Sequence, residues 1–193
     1  MLRRGFKTRC EKLSSQVRAD LDVRSDAPLS FVDLARYMRV ELRTPEDIDG
    51  IPPKTLLVLK DQAAEWSAAA VSIGDDKAIV YNPHHSLRRQ ASDVMHELAH
   101  ILLDHSSAIV VLSPDGQLAL RSFDQDQEDE ASWLSGCLLL PRSALLTIAA
   151  RRMSTELACG KYGVSEDLLK FRLNVTGAKT QVRRRVSATT PNR

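Results

Sequence analysis

A pair of histidines inside a helical pattern is the feature that most constrains this chain. Residues 96–100 read His-Glu-Leu-Ala-His, and they lie in a stretch, 86–104, whose apolar residues recur at helical spacing. These apolar residues are Leu87, Ala91, Val94, Leu98 and Ile101. Positions four apart on a helix differ by about 40° in direction, so His96 and His100 face the same side and can reach one metal ion. The stretch therefore predicts a helix with one buried face and one metal-ligating face.

Glu97 lies between the two histidines and is rotated by about 100° from His96. From this position a carboxylate can contact a water at the metal without having to bind the metal itself. Zinc-dependent hydrolysis needs this separation of roles, because neutral nitrogens hold the ion while a carboxylate takes a proton from the water. His96 and His100 are therefore candidate metal ligands, and Glu97 is the candidate general base.

The same helix carries a polar stripe opposite its apolar line. The stripe consists of Arg89, Asp93, His96, His100 and Asp104. Asp93 or Asp104 could accept a hydrogen bond from the second ring nitrogen of a ligating histidine, as carboxylates often do in metal sites. For Arg89 and Asp104, a solvent-exposed position on the helix is the simpler interpretation.

A metal site of this kind needs a third protein ligand. His105 lies five residues beyond His100 and nearly opposite His96 on a continuing helix, so it is badly placed. The metzincin pattern also fails, because it needs His at 106 and Gly at 103, where this chain has Ser106 and Leu103. The third ligand must therefore come from another segment.

Two glutamates in the helical stretch 125–139 are the candidates for that ligand. The buried stripe of this stretch consists of Ala131, Leu134, Cys137 and Leu138. Glu130 lies at the edge of the stripe, and a carboxylate directed toward the core is costly unless it is paired or bound to metal. Glu128 aligns with Ser132 and Ser135 on a small polar face, where the helix dipole explains an acidic first turn. Glu130 is therefore the predicted third ligand.

The composition places the chain among ordinary globular proteins. It has 193 residues, of which 43% are hydrophobic and 27% charged, unlike disordered, collagen-like or disulfide-scaffold chains. No run of about 18 apolar residues is present, so we expect no membrane span and no membrane partner. Cys10, Cys137 and Cys159 are widely spaced and odd in number, which predicts reduced thiols and a cytoplasmic protein.

The net charge of +2 is unevenly distributed along the chain. Residues 1–18 carry six basic side chains and one acidic one, and residues 177–193 carry five basic side chains and no acidic one. The residues between them carry 16 basic and 24 acidic side chains, a net charge of −8. Basic ends of this size predict at most weak and non-specific binding to nucleic acid.

The order of patterns along the chain predicts an α+β fold. Helices are expected over 5–21, from Ser30 to about Arg39, and over 125–139, 142–151, 154–162 and 165–174. Short β-rich runs occur at 56–59, 66–73 and 78–81, and turn signals at 74–76 and 113–116 predict two hairpins. Residues 179–193 lack an apolar period and are expected to form a mobile tail.

Residues 157–173 resemble a helix-turn-helix. Gly163 supplies the turn, Ser165 caps the second helix, and Cys159 is a small residue where the helices pack. Glu166 and Asp167 begin the second helix, where they would meet DNA phosphates with the wrong sign of charge. We therefore expect a structural or substrate-docking element rather than one that reads DNA.

Two of the segments above resemble the ImmA/IrrE metallo-endopeptidase family. Residues 95–102 read Met-His-Glu-Leu-Ala-His-Ile-Leu, and residues 128–141 read Glu-Asp-Glu-Ala-Ser-Trp-Leu-Ser-Gly-Cys-Leu-Leu-Leu-Pro. They are similar to the family's HExxH helix and its E-x-E-A helix ending in Leu-Leu-(Met/Leu)-Pro. Residues 66–68, 81–83, 162–165 and 172–173 also match, so the likeness covers roughly 5–178. Ser132 departs from the pattern, which usually has Asn or Asp there.

The resemblance implies a gluzincin-like minimal zincin fold, in which a small β-sheet packs on the HExxH helix. It implies that His96, His100 and Glu130 bind one Zn²⁺ and that Glu97 is the general base. The same ligand set also binds Mn²⁺ or Co²⁺. The implied function is an intracellular endopeptidase that cleaves a helix-turn-helix transcriptional repressor. The alternative is a non-catalytic regulator that binds DNA or a repressor and keeps the zincin frame.

Substrate binding leaves several candidates open. Zincins commonly align the substrate backbone along an edge strand, for which either 66–73 or 78–82 would serve. Peptide hydrolysis also needs a donor for the developing oxyanion. The candidate donors are Tyr81, His84, His85 and Arg89.

Four segments are expected along the chain. They are a basic N-terminal helix and linker at 1–28, a zincin-like domain at 29–151, a helix-turn-helix-like extension at 152–178 and the basic tail at 179–193.

Overall fold

The computed structural model describes residues 2–73, 76–105, 111–112, 118–119 and 124–189. The helices are α1 (Phe6–Asp20), α2 (Phe31–Tyr37), α3 (Pro53–Asp61), α4 (Leu87–Leu102), α5 (Gln125–Leu139), α6 (Arg142–Ala150), α7 (Thr155–Tyr162), α8 (Glu166–Thr176) and α9 (Ala178–Thr189). The strands are β1 (Val40–Arg43), β2 (Ala68–Ile73), β3 (Asp76–Tyr81), β4 (Val111–Leu112) and β5 (Leu118–Ala119). A short 3₁₀ helix covers Pro45–Asp47.

Three strands form a mixed sheet in the order β1-β3-β2. Strand β1 runs parallel to β3, and β2 runs antiparallel to it with Ala70 opposite Ile79. Strands β4 and β5 pair antiparallel as a separate hairpin. The predicted turn residues at 74–75 and 113–116 lie outside the described residues. Because β3 is paired on both sides, β2 is an edge strand of the sheet.

Helix α4 contacts the sheet through β2 and β3 and contacts α5 on another side. The fully buried apolar residues of this interface are Val94, Met95, Leu98 and Ala99 of α4 and Ala131, Leu134, Cys137 and Leu138 of α5. Leu87, the first residue of the predicted apolar line, is instead 80% exposed. The expected α+β fold, with a small sheet packed on the HExxH helix, is confirmed.

Two buried arginines hold the C-terminal end of α5. Arg18 Nη2 donates to the carbonyl of Leu138 at 2.7 Å, and Arg172 Nη2 donates to that of Leu140 at 3.0 Å. These carbonyls have no partner within their own helix, and a positive charge is favourable at this end of the helix dipole. Burial lowers the pKa of Arg18 to about 10, which leaves it charged at neutral pH. The pair fixes the position of α5 against α1 and α8.

Glu11 connects this arrangement to α6. Its Oε1 accepts a hydrogen bond from Arg172 Nη2 at 2.6 Å, and its Oε2 accepts one from the backbone N–H of Arg142 at 2.9 Å. One carboxylate of α1 therefore contacts the buried guanidinium of α8 and the first residue of α6.

Helices α7 and α8 form where the helix-turn-helix-like pattern predicts them. Gly163 ends α7 with a φ of 63°, and Ser165 caps α8 by accepting from the N–H of Leu168 at 3.2 Å. A positive φ is the reason that glycine suits the turn. The predicted second helix thus begins with exposed Glu166 and Asp167.

Residues 178–189 form helix α9, where composition predicts a mobile tail. Ala178 is fully buried and α9 packs against α6. Arg142 joins the two segments, because it donates to the carbonyl of Thr176 at 2.8 Å and to Oε1 of Gln181 at 2.7 Å. Helix α9 has few apolar residues, and its sequence therefore shows no helical repeat of apolar positions. Residues 190–193 lie outside the described part of the chain.

Two further elements differ from the sequence prediction. Residues 56–59 belong to helix α3, because an apolar run of four is ambiguous in period and Pro53 suits the first turn of a helix. Strand β1 lies in a stretch that predicts no strand, and it forms by pairing with β3 rather than by its own pattern. Among the described residues no single helix is both long enough and apolar enough to span a membrane. Helices α5 and α6, which meet at a bend of 48°, reach the length and apolar composition of a span only when taken together.

We expect Glu11→Ala to lower the free energy of unfolding by about 2–3 kcal/mol. The substitution removes the carboxylate partner of Arg172, whose side chain is only 1% exposed. Urea denaturation followed by circular dichroism measures the change. Glu65→Ala, at an exposed position, is the control and should change stability by less than about 0.5 kcal/mol. Equal effects of the two substitutions would contradict the role assigned to Glu11.

Candidate metal centre

Helix α4 carries the two histidines and has a defined start and end. Ser86 caps its N-terminus, with Oγ accepting from the N–H of Arg89 at 3.4 Å. After the last helical residue, Asp104 adopts a left-handed φ of 54°, and the N–H of His105 donates back to the carbonyl of His100 at 3.1 Å. This Schellman-type end turns the chain back on the helix. His105 therefore returns to the side of His100 instead of continuing away from it.

Three ligand atoms converge between α4 and α5. The Nε2 atoms of His96 and His100 lie 3.1 Å apart. Glu128 Oε2 lies 3.1 Å from His96 Nε2, and Glu128 Oε1 lies 3.5 Å from His100 Nε2. Ligand atoms around a tetrahedral zinc ion are about 3.3 Å apart, given bonds of about 2.0–2.1 Å. Within the described residues, His96, His100 and Glu128 therefore form a group that could hold a metal ion.

The cluster is buried on one side and open on the other. The side chain of His100 is 6% exposed, whereas those of Glu128 and His96 are 19% and 25% exposed. The His96 side thus faces water, while the His100 side faces the protein. A metal held here would keep a solvent-facing position, as catalytic zinc sites do.

The structure brings Glu128 to the histidine pair, where the sequence reasoning selected Glu130. Glu130 Oε2 lies 3.3 Å from Nε2 of His105. The carboxylate of Glu130 thus contacts an imidazole outside the His96–His100–Glu128 group. Glu128 is half-buried on the polar face, and Asp124 caps the start of α5 by accepting from the N–H groups of residues 126 and 127.

Sequence reasoning missed Glu128 and His105 for the same reason. On an ideal continuous helix His105 faces away from His96, and the polar face of α5 gives Glu128 no apparent need of a partner. Asp104 was the available signal, since an aspartate tolerates the left-handed conformation that ends a helix. A prediction that the helix ends at Asp104 would have placed His105 close to His100.

Glu97 is oriented by the edge strand. Its carboxylate is mostly buried, with the residue 6% exposed, and Oε2 accepts a hydrogen bond from the backbone N–H of Ala70 at 3.1 Å. Alternate residues of an antiparallel strand direct their N–H and C=O groups away from the partner strand. The N–H of Ala70 points away from β3 in this way, so β2 itself positions the carboxylate beside the histidines.

Asp93 and Asp104 occupy positions other than the predicted ones beside the histidines. Asp93 Oδ2 lies 3.0 Å from Nδ1 of His85, whose Nε2 is 2.8 Å from the carbonyl of Ala63. This chain of contacts fixes the loop between β3 and α4 to the segment after α3. Asp104 is exposed and forms the turn that ends α4.

The candidate oxyanion donors differ in their surroundings. His85 is engaged by Asp93, as described above, and His84 is exposed. Tyr81 packs against the hydrophobic core at the end of β3. The guanidinium of Arg89 is half-exposed, and its Nη2 lies 3.4 Å from Oγ of Ser67 at the start of the edge strand.

Comparison with known families identifies the chain. The model of the IrrE N-terminal-like domain, peptidase family M78, matches residues 56–174. The chain belongs to this family. A search of curated proteins gives no significant match.

The M78 match runs from α3 to α8 and so includes the edge strand, the HExxH helix and α5. M78 is a metallopeptidase family, which agrees with the His-His-Glu cluster as a place for a metal. Helix α1, which holds the far end of α5, lies outside the matched residues, as do β1 and α9.

We expect Glu128→Ala to abolish stoichiometric zinc binding, because it removes one of three converging ligand atoms. Metal content after dialysis against buffered zinc measures the effect, with about one zinc per chain in the wild-type protein. Asp129→Ala removes the same charge from the same helix turn and should leave zinc content unchanged, since Asp129 Oδ1 accepts from Gln125 in solvent. Full zinc content in the Glu128 variant would exclude Glu128 as a ligand.

Proposed function

We propose that this protein is a zinc-dependent endopeptidase of the cytoplasm that cleaves a helix-turn-helix transcriptional repressor. The convergence of His96, His100 and Glu128 on one point, with Glu97 held beside them by the edge strand, is the observation that carries the proposal. Family membership supports peptidase chemistry. The choice of a repressor as substrate rests on the family resemblance of the two motif helices.

The residues present fit a zinc ion by type and by spacing. Two neutral imidazoles and one carboxylate are a usual catalytic zinc set, and their ligand atoms lie 3.1–3.5 Å from one another. Zinc would supply Lewis acidity and lower the pKa of water at the site. Manganese or cobalt would fit the same ligands. The low exposure of His100 limits access by competing ligands from that side.

Glu97 is placed to act as the general base. Its Oε2 accepts a hydrogen bond from the N–H of Ala70, which fixes the carboxylate on the residue that follows His96. A carboxylate in this position takes a proton from the attacking water and returns it to the leaving amine. The residue is only 6% exposed, so the carboxylate is largely shielded from bulk solvent.

Strand β2 is the surface along which we propose that the substrate lies. The sheet order excludes β3, since β3 is hydrogen-bonded on both sides. The outward-facing backbone groups of β2 belong to Ala68, Ala70 and Ser72, by alternation from the Ala70 contact. Because the N–H of Ala70 is bonded to Glu97, an extended peptide would pair with the other outward-facing backbone groups of β2 and lie close to Glu97. Such pairing selects a flexible segment of a protein rather than a folded domain.

We expect Glu97→Gln to keep zinc and lose cleavage. The glutamine oxygen can still accept from the N–H of Ala70, so the local structure is retained while the proton acceptor is lost. The loss of a general base reduces the rate by roughly 10²- to 10⁴-fold. The measurement is mass spectrometry of the repressor encoded beside the gene, incubated with each variant, together with zinc content. Cleavage at the wild-type rate by the Gln variant would remove Glu97 as the base.

A second candidate function is a non-catalytic regulator that binds DNA or a repressor. Helix α9 favours it, because its exposed basic residues give one end of the molecule a concentrated positive charge. These residues are Lys179, Arg183, Arg184 and Arg185. The buried, oriented carboxylate of Glu97 argues against it, since binding alone needs no general base.

Removing positive charge from α9 distinguishes the two candidate functions. The double variant Arg183→Gln, Arg184→Gln should leave cleavage of a free repressor unchanged if the protein is a peptidase. A gel shift with duplex DNA at physiological salt measures the other activity. Sequence-specific binding that the double variant loses, with no cleavage by the wild-type protein, would favour the regulator.

A further inference from the structure

Two residues that do not belong to the ligand cluster lie in a line behind His100. His105 Nδ1 is 3.0 Å from His100 Nδ1, and His105 Nε2 is 3.3 Å from Glu130 Oε2. The side chains of His105 and Glu130 are 7% and 18% exposed. The two imidazole rings meet edge to face, at an interplanar angle of 72°. Glu130, His105 and His100 therefore form a continuous chain of polar contacts that ends at the ligand cluster.

The backbone places His105 in this chain independently of any metal. Asp104 takes the left-handed conformation and the N–H of His105 bonds to the carbonyl of His100 at 3.1 Å. Helix α5 supplies Glu130 two residues after Glu128. The ends of two helices thus converge on the protein side of His100, opposite to its metal-facing nitrogen.

The positions of the protons follow from what each atom can do. A neutral imidazole has one N–H and one lone pair, and a carboxylate only accepts. Because Glu130 accepts from His105 Nε2, that nitrogen carries the proton and His105 Nδ1 has the lone pair. His100 Nδ1 must then be the donor in the 3.0 Å contact between the two Nδ1 atoms. The lone pair of His100 is left on Nε2, the atom that faces His96 and Glu128.

The opposite arrangement would disable the site. If His105 donated from Nδ1, the lone pair of His100 would lie on Nδ1 and its Nε2 would carry a proton. A protonated nitrogen cannot bind zinc. Glu130 removes this arrangement, because it requires the proton of His105 to be on Nε2.

We propose that Glu130 and His105 are positioning residues that select the Nδ1–H tautomer of His100 and hold its ring toward the metal. The proposal rests on the proposed zinc site, and it assigns different roles to the two glutamates of the E-x-E pair. Glu128 contacts the ion, whereas Glu130 acts on the ion only through two imidazoles. Outer contacts of this kind affect metal affinity by about 10- to 100-fold.

The tautomers are measured directly in the metal-free protein. Long-range ¹H–¹⁵N correlation spectra at pH 8, where ordinary imidazoles are neutral, distinguish Nδ1–H from Nε2–H. In the wild-type protein His100 should be Nδ1–H and His105 Nε2–H. In Glu130→Ala a fraction of His100 should become Nε2–H. Glu130→Gln, which keeps an acceptor oxygen, should restore the wild-type tautomer.

Zinc affinity is the second readout, measured by competition with a chelator. Glu130→Ala should weaken binding about 10- to 100-fold while one zinc still binds per chain at saturation. Asp129→Ala, which removes a carboxylate from the adjacent position, is the matched control and should change affinity less than twofold. If Glu130→Ala does not fold, His105→Phe keeps a ring in the space and removes the acceptor, and the same changes are expected.

The proposal is overturned if metal-free wild-type His100 is Nε2–H. It is also overturned if Glu130→Ala matches Asp129→Ala in both tautomer and affinity. Neither readout uses a substrate. If the wild-type protein binds zinc and shows the predicted tautomers but cleaves no repressor, the proposed function alone is refuted. If the wild-type protein cleaves a repressor but Glu130→Ala leaves the tautomer of His100 and the zinc affinity unchanged, the positioning role alone is refuted.

Discussion

The packing of α5 against α4 is the constraint on which the site depends. It brings Glu128 to within 3.1 Å of His96 Nε2, although the two residues are 32 positions apart in the chain. Two imidazole lone pairs and a carboxylate repel each other at these distances unless a cation or a shared proton lies between them. The apolar interface of α4 and α5 holds them together, so the folded protein supplies the geometry in advance of the ion. Preorganisation of this kind is what a metal site needs for affinity.

Helix α5 is held at both ends by charged side chains that lie far from the metal-binding residues. Asp124 caps its N-terminus, and Arg18 and Arg172 bind the carbonyls at its C-terminus. Buried guanidinium groups are costly unless they are hydrogen-bonded. The Nη atoms of Arg18 donate to Leu138 and Ser14, and Arg172 donates to Leu140 and Glu11, although Nε of Arg18 is buried without a hydrogen-bond partner among the described residues. Displacement of this end would tilt the helix and move Glu128. The N-terminal helix, outside the matched family region, therefore supports the site.

The period of the α4 residues predicted the helix, its two histidines and the place of Glu97, because these depend on local geometry alone. The third ligand depends on how a second helix packs, and no single-helix argument contains that information. The coreward criterion selected Glu130 because a half-buried carboxylate needs a partner, and in the structure Glu130 contacts His105. It could not distinguish a histidine from a metal as that partner. His105 was excluded on the assumption of a continuing helix, which the left-handed Asp104 ends.

The elements that the sequence did not predict are those formed by tertiary contact. Strand β1 exists because β3 offers it a ladder, and α9 exists because α6 offers it a surface. The edge position of β2 follows from the same pairing, and it favours β2 over β3 as the strand for the proposed substrate. Local patterns predicted α5 to α8 closely, since their caps and turns are encoded by single residues such as Ser165 and Gly163.

A crystal structure of the zinc-loaded protein, with anomalous data collected at the zinc edge, tests the central claim most directly. The account predicts one zinc per chain, bound by Nε2 of His96, Nε2 of His100 and the carboxylate of Glu128, with Glu130 on His105. A zinc ion bound by Glu130 or by His105, or no zinc peak between α4 and α5, would contradict it.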